Sequence, residues 1–226
     1  MFKKFFLAIC LNILFFSAAS AEVLPDNLKV AVMDLGYYKG AVTSDLNSDN
    51  IGFMVSDYVI EALVASGKFQ VISKELVEEK FAEEKISTVG IIPPSVAKKI
   101  GKILGVKYIV YGNISGLGSD SLKVEILANG GKFHSVKATV ILRIMDIETG
   151  SVIGMTSGDG TSKSSEIKIS PSELITIKIG SQNIPQVAVH NSIKKAAYSS
   201  VAAMIEQLYG VKYKKIEELF QGKKGR

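Results

Sequence analysis

Residues 67–112 constrain the fold more than any other stretch of this chain. They open with Gly67-Lys68-Phe69-Gln70-Val71-Ile72-Ser73 and close with Leu104-Gly105-Val106-Lys107-Tyr108-Ile109-Val110-Tyr111-Gly112. Each end is a short apolar run behind a glycine, which is the pattern of a buried strand. Two helical segments lie between them. The first spans residues 73–85, with Ser73 placed as its cap and Glu75 in its first turn. Its apolar stripe is Leu76, Val77 and Phe81. The second begins at Pro94, a residue suited to a first helical turn, and carries Val96, Ala97, Ile100, Ile103 and Leu104 up to the stop at Gly105. The stretch holds no cofactor cradle and no catalytic cluster. It reads as a scaffold, so the search for function turns to partners.

The remaining elements follow from periodicity. Residues 28–35 (Leu-Lys-Val-Ala-Val-Met-Asp-Leu) form a first buried strand. A polar loop is expected over 36–50, then a helix over 51–65 with Ile51, Val55, Val59 and Leu63 on one face. Residues 69–72 and 106–114 are the second and third strands. From 135 to 147 the period changes to two: Val136, Ala138, Val140, Leu142 and Ile144 share one face. Glu148-Thr149-Gly150 is a turn, and a return strand begins over 151–156. Residues 185–209 form a last helix whose core face includes Val189, Ile193, Ala196, Ala197, Ser200, Val201, Met204, Ile205 and Leu208. The order is strand, helix, strand, helix, helix, strand, strand, strand, helix. That is an α/β fold, a mixed sheet with helices packed on it.

The N-terminus reads as an export signal. Met1-Phe2-Lys3-Lys4 is basic, residues 5–16 are apolar apart from Asn12, and Ala19-Ser20-Ala21 fits a cleavage site. Residues 1–21 are therefore expected to leave. The rest is expected to comprise one α/β domain, 22–210, and a basic tail, 211–226. Cys10 is the only cysteine and lies inside the signal, while a lipoprotein signal would place cysteine where Ala21 stands. The mature chain is then expected to be without disulfide, thiolate nucleophile or cysteine-bound metal. No mature run reaches eighteen apolar residues, so no membrane-spanning helix is expected.

Two segments between core strands read as inserted β-hairpins. Residues 119–134 hold Leu122, Val124 and Ile126 alternating with Lys123 and Glu125, and Asn129-Gly130-Gly131 offers a turn. Residues 162–182 hold Ile167 and Ile169, a turn near Ser170-Pro171-Ser172, then Ile175, Ile177 and Ile179. Two amphipathic hairpins per subunit match an oligomeric β-barrel to which each copy gives four strands. The other reading is a pair of hairpins that extend the sheet or make subunit contacts. The counted apolar positions are fewer than the ~five per strand that a bilayer calls for.

Several phrases resemble the CsgG family of curli assembly and transport proteins. They are Lys29-Val30-Ala31-Val32-Met33-Asp34-Leu35, Gly67-Lys68-Phe69-Gln70-Val71-Ile72, Gly105-Val106-Lys107-Tyr108-Ile109-Val110-Tyr111-Gly112-Asn113-Ile114, and Val140-Ile141-Leu142-Arg143-Ile144-Met145-Asp146-Ile147-Glu148-Thr149-Gly150. The resemblance spans about 28–208. It implies a ring-shaped outer-membrane secretion channel that passes unfolded amyloid subunits without a nucleotide. It also implies that the hairpins are membrane strands and that the loop after the first strand, with Tyr37 and Tyr38, forms the constriction.

Enzyme chemistry finds no support. His134 and His190 are far apart and match no metal spacing. Gly112-Asn113-Ile114-Ser115-Gly116-Leu117-Gly118 lacks the lysine and following helix of a phosphate loop. Glu78, Glu79, Glu83 and Glu84 read as a solvated helix face. No cofactor is expected. The expected partners are further copies of the chain in a homo-oligomer, a secreted or envelope protein, and the outer membrane, with no nucleic acid. Two readings stay open: a curli-type secretion or assembly component, and a soluble exported periplasmic adaptor of the same fold.

Overall fold

The computed structural model describes residues 24–37, 48–85, 94–124, 131–163, 176–179 and 182–213. Their elements run β1 (Leu28–Val32), β2 (Gly36–Tyr37), α1 (Ser48–Ser66), β3 (Phe69–Val71), α2 (Lys74–Glu84), α3 (Pro94–Leu104), β4 (Tyr108–Val124), β5 (Gly131–Asp146), β6 (Val152–Lys163), β7 (Thr176–Ile179), β8 (Gln182–Pro185) and α4 (Gln186–Tyr209). The main sheet has the order β3-β1-β4-β5-β6, with β2 also on β4. β1 runs parallel to β3 and β4, while β5 and β6 are antiparallel additions. The mixed α/β sheet with helices packed on it is the expected fold.

Both sheet faces are covered near β1. On one face Val30, Val32, Val110, Val140 and Leu142 pack under α1 and α4. On the other, Ala31, Met33, Ile109 and Met145 pack under α2 and α3 through Val77, Phe81, Ile100 and Leu104. Strands buried on both sides read as unbroken apolar runs, which is why 28–35 and 106–111 are legible from sequence. Toward β6 only α4 continues, and the opposite face of the sheet is open. Ser73 caps α2 by accepting from the Leu76 amide at 3.3 Å. Gly67 and Gly105 end α1 and α3 with φ of 69° and 61°, left-handed values that favour glycine.

Four expectations need correction. Gly36–Tyr37 is a strand and α1 begins at Ser48, so the polar loop is shorter than 36–50. β1 leaves β4 after Val32, and β2 resumes the parallel pairing at Asn113 and Ile114. The third strand does not stop at 114, and the return strand runs on to Lys163. Leu76 is 38% exposed and lies outside the core stripe of α2, which is Val77 and Phe81.

Where α4 crosses β6, both partners are stripped to small residues. A Cβ at Gly158 would strike the Ser200 amide and the Ala196 carbonyl, and one at Gly160 the Ser192 carbonyl and the Ala196 amide. Thr156 Oγ1 donates to the Ser200 carbonyl at 2.9 Å. The helix backbone therefore rests almost directly on the strand.

The other end of α4 predicts an alkaline limit to stability. Tyr209 stacks edge-on against Phe69 at 6.2 Å and donates to the Pro25 carbonyl at 3.2 Å. Burial, then the nearby Asp26 carboxylate, push its phenol from 10.0 up to about 12. Burial and the Glu61 carboxylate beside Tyr198 raise that phenol too. A raised pKa means the fold holds the proton more tightly than the unfolded chain does. The stabilisation is complete below the unfolded pKa and is lost as pH rises through the folded one. Urea midpoints are expected to fall between pH 10 and about 12. Tyr209→Phe, which cannot ionise, is expected to fall less steeply over that range.

Candidate functional site

The dominant feature beyond the core is one long ribbon. β4 and β5 pair without a break from Tyr108↔Asp146 to Val124↔Gly131, apart from one extra residue, Ser115, between the Ile114↔Val140 and Gly116↔Thr139 pairs. Of the segment 119–134, expected as a separate insertion, residues 119–124 and 131–134 are the far parts of these two core strands, and 125–130 lie outside the described residues. Leu117 and Val136 are buried. β4 continues past Leu117 to Val124, a further ~23 Å at about 3.3 Å per residue.

Register sets the positions along that extension. Leu122 pairs with Phe133, Lys123 with Lys132 and Val124 with Gly131. Successive positions alternate between ribbon faces. The Leu122–Phe133 rung therefore lies on one face and the Lys123–Lys132 rung on the other. Ile126 lies outside the described residues, as do Ile167, Ile169 and Ile175. Ile177 and Ile179 lie on β7, which pairs with β8 as Ile177↔Ile184 and Ile179↔Gln182. The sequence reading placed a turn near 170–172, whereas the described partner of β7 is the segment just before α4.

Tyr37 sits in β2 opposite Ile114, and Tyr38 lies outside the described residues. The stem of this loop is held by a polar cluster that sequence reasoning missed. Asp34 is buried. Its Oδ1 lies 3.0 Å from Ser56 Oγ and 3.2 Å from Lys74 Nζ. Lys74 also reaches Asp57 at 3.3 Å and lies 4.5 Å from the Phe53 ring centre. The cluster ties the segment just after β1 to the middle of α1 and the first turn of α2. Its members are far apart in the chain and share no motif, so nothing in the sequence signals it.

The open face of β4–β6 is polar. Arg143 Nη1 donates to Asn113 Oδ1 at 3.1 Å, and Thr139 Oγ1 to Asp159 Oδ1 at 2.7 Å. Among the described residues, no group of His, Cys, Asp and Glu could hold a metal. The glycine-rich 112–118 is strand, with Gly112 giving room for the Ile141 carbonyl. His190 is half-buried with Gln186 Nε2 3.3 Å from its Nε2, and burial lowers its pKa. Among the described residues no helix is long and apolar enough to cross a membrane. The candidate site among the described residues is therefore a surface of strands and charges.

Comparison with known proteins gives the following. The family model described as curli production assembly/transport component CsgG matches residues 14–225. No curated protein matches. Among solved structures, the chain is similar to the LpoB C-terminal domain from Salmonella enterica, at 18% identity over 61% of this chain and 85% of that one, with TM-score 0.43. It is similar to lipoprotein GNA1162 from Neisseria meningitidis at 16% identity over 64% and 88%, with TM-score 0.44. It is also similar to the PelC dodecamer from Paraburkholderia phytofirmans at 12% identity over 83% and 91%, with TM-score 0.38.

Proposed function

The chain belongs to the CsgG family of curli production assembly/transport components, and on that premise we propose that it is a non-enzymatic envelope protein that forms a secretion channel. Copies of the chain assemble into a ring. Each gives the distal β4–β5 ribbon, with Leu122, Val124 and Ile126, to a barrel wall in the outer membrane. Ile167, Ile169, Ile175, Ile177 and Ile179 belong to a second wall hairpin, and Tyr37 and Tyr38 narrow the pore. Residues 1–21 direct export and are removed. The cargo is a secreted protein passed unfolded, so no cofactor takes part.

The observation that carries this reading is the unbroken pairing of β4 with β5 as far as Val124↔Gly131. A ribbon of that length supplies two strands of the kind a barrel wall is built from. A barrel wall gives one face lipid and the other water, which suits the alternation of Leu122–Phe133 with Lys123–Lys132.

A second reading has its own observation. The described β7–β8 pair has strands of only four residues each and leads straight into α4. A hairpin of that length supports a periplasmic adaptor that binds an envelope partner through the long ribbon alone.

Membrane extraction separates the two. Membranes from cells making the full chain are washed with high salt and then treated with detergent. The channel reading expects release only by detergent, and sizing of the extract as a multi-copy ring. A monomer released by salt overturns it in favour of the adaptor.

A further inference from the structure

α2 and α3 cover the same sheet face yet carry opposite charge. On α2, Glu75, Glu78, Glu79, Glu83 and Glu84 are exposed. Two of them are already matched within the chain: Glu83 by Lys80 at 2.9 Å and Glu84 by Lys99 at 2.5 Å. Glu75, Glu78 and Glu79 make no ion pair among the described residues. Their spacing of three and four places them on one helix face. At about 100° per residue that face lies roughly 180° around α2 from Glu84, the residue that meets α3.

α3 carries Lys98, Lys99 and Lys102 and no carboxylate. Lys98 and Lys102 are one turn apart and, with Lys107, line an open cleft of about 550 Å³ floored by Val106 and Ile147. Neither Lys98 nor Lys102 has an ion pair among the described residues. Lys107 is half exposed, and its carboxylate partner is Asp146 at 3.9 Å. Glu148 is the acidic residue at the rim. α2 packs on β1 and α3 on β4, and the cleft reaches the end of β5 at Ile147. The unmatched acids and unmatched lysines thus lie on opposite flanks of one helix layer.

Two different complementary patches on opposite flanks are what a head-to-tail contact needs, since each copy then offers one patch to each neighbour. We infer that Glu75, Glu78 and Glu79 of one copy dock against Lys98, Lys102 and Lys107 of the next. This rests on the ring assembly proposed above and names the surface that joins its subunits. The Glu84–Lys99 pair between α2 and α3 is the same chemistry within one chain. Exposed pairs contribute little singly, so their main effects are to set the register of the contact and to reject wrong neighbours.

Charge reversal tests it on the full chain in detergent, sized at about 150 mM salt. The variants are E75K/E78K/E79K and K98E/K102E/K107E. Each alone is expected to raise the dissociation constant between copies roughly a hundredfold, because several attractive pairs become repulsive. An equimolar mixture is expected to restore association between unlike copies, since each reversed patch then finds its complement, and to close into rings where the number of copies is even. Melting temperatures of E75K/E78K/E79K and of the double variant K98E/K102E are expected to match the wild type, since these five exposed residues make no ion pair among the described residues, whereas Lys107→Glu gives up the Asp146 pair. If the wild type forms a ring and either variant assembles equally well, this inference fails and the ring stands. Mixtures in which unlike copies associate no better than like ones overturn it too, and assign the cleft to a different acidic protein. A monomeric wild type overturns both readings.

Discussion

Gly160→Val is expected to lower the free energy of unfolding by roughly 3 kcal/mol, at the upper end of typical overpacking costs. For a domain of this size that is a fall in melting temperature of about 6–12 °C. The size follows from what the new side chain meets. The first carbon added at Gly160 runs into the Ser192 carbonyl and the Ala196 amide, which are helix backbone. Neither can turn aside as a side chain would. α4 would have to lift off β6, losing the buried contacts of Ile193, Ala196, Ala197 and Val201 with it. Trimming Ala196 to glycine is therefore expected not to rescue the variant, because the clash is with the main chain. Gly118→Ala serves as the control: nothing lies within 4 Å of its would-be Cβ, so its melting temperature should stay close to the wild type. Thermal unfolding followed by circular dichroism on all three variants decides the matter. A Gly160→Val melting temperature equal to that of Gly118→Ala would refute the close approach of α4 to β6.

Leu122→Arg with Val124→Arg is expected to remove the chain from the membrane while leaving the folded domain intact. An arginine on the lipid face of a barrel costs about 2–4 kcal/mol near the bilayer midplane. Two per copy, repeated around a ring, amount to at least a thousandfold shift toward the soluble state. Both positions lie at the far end of β4, five and seven residues beyond the buried Leu117. Carbonate-washed membranes and the soluble fraction would be compared by immunoblot, with a melting curve on the soluble form. Full retention in washed membranes would count against a lipid-facing role for this rung. An unchanged soluble wild type would count against the channel as a whole.

Most of the core was legible because strands buried on both faces leave no choice of residue. Val30, Val32, Ile109 and Val110 had to be apolar, and Gly67 and Gly105 had to stop the helices between them. The length of β4 was not legible. Gly112, Gly116, Gly118, Ser119, Asp120 and Ser121 have the composition of a loop. Pairing with β5 overrides that propensity, and Gly112 is there because the Ile141 carbonyl comes too close for any side chain. The Asp34–Ser56–Lys74 cluster was invisible for another reason. Each member is an ordinary surface residue type, and only the folded chain brings the three within 3.0–3.2 Å. The charge pattern of α2 and α3 was partly visible, as a row of glutamates dismissed as solvated face. What periodicity could not supply was which of them are already matched within the chain.

Ser115 sets the phase of everything beyond it. Upstream, the even-numbered Tyr108, Val110 and Ile114 join the core beneath α1 and α4; downstream, the odd-numbered Leu117 takes that side. The bulge absorbs this one extra residue, because Ile114↔Val140 and Gly116↔Thr139 follow one another directly on β5, and so Leu117 stays on the side of Ile114. Were the ladder regular through Ser115, the positions of Leu122 and Val124 would trade faces with that of Lys123. The outward chemistry of the ribbon is thus encoded by a count as well as by an alphabet. Gain of one more codon between Ile114 and Leu117, with no second bulge to absorb it, should turn the distal rungs over, whereas loss of Ser115 should leave their faces as they are.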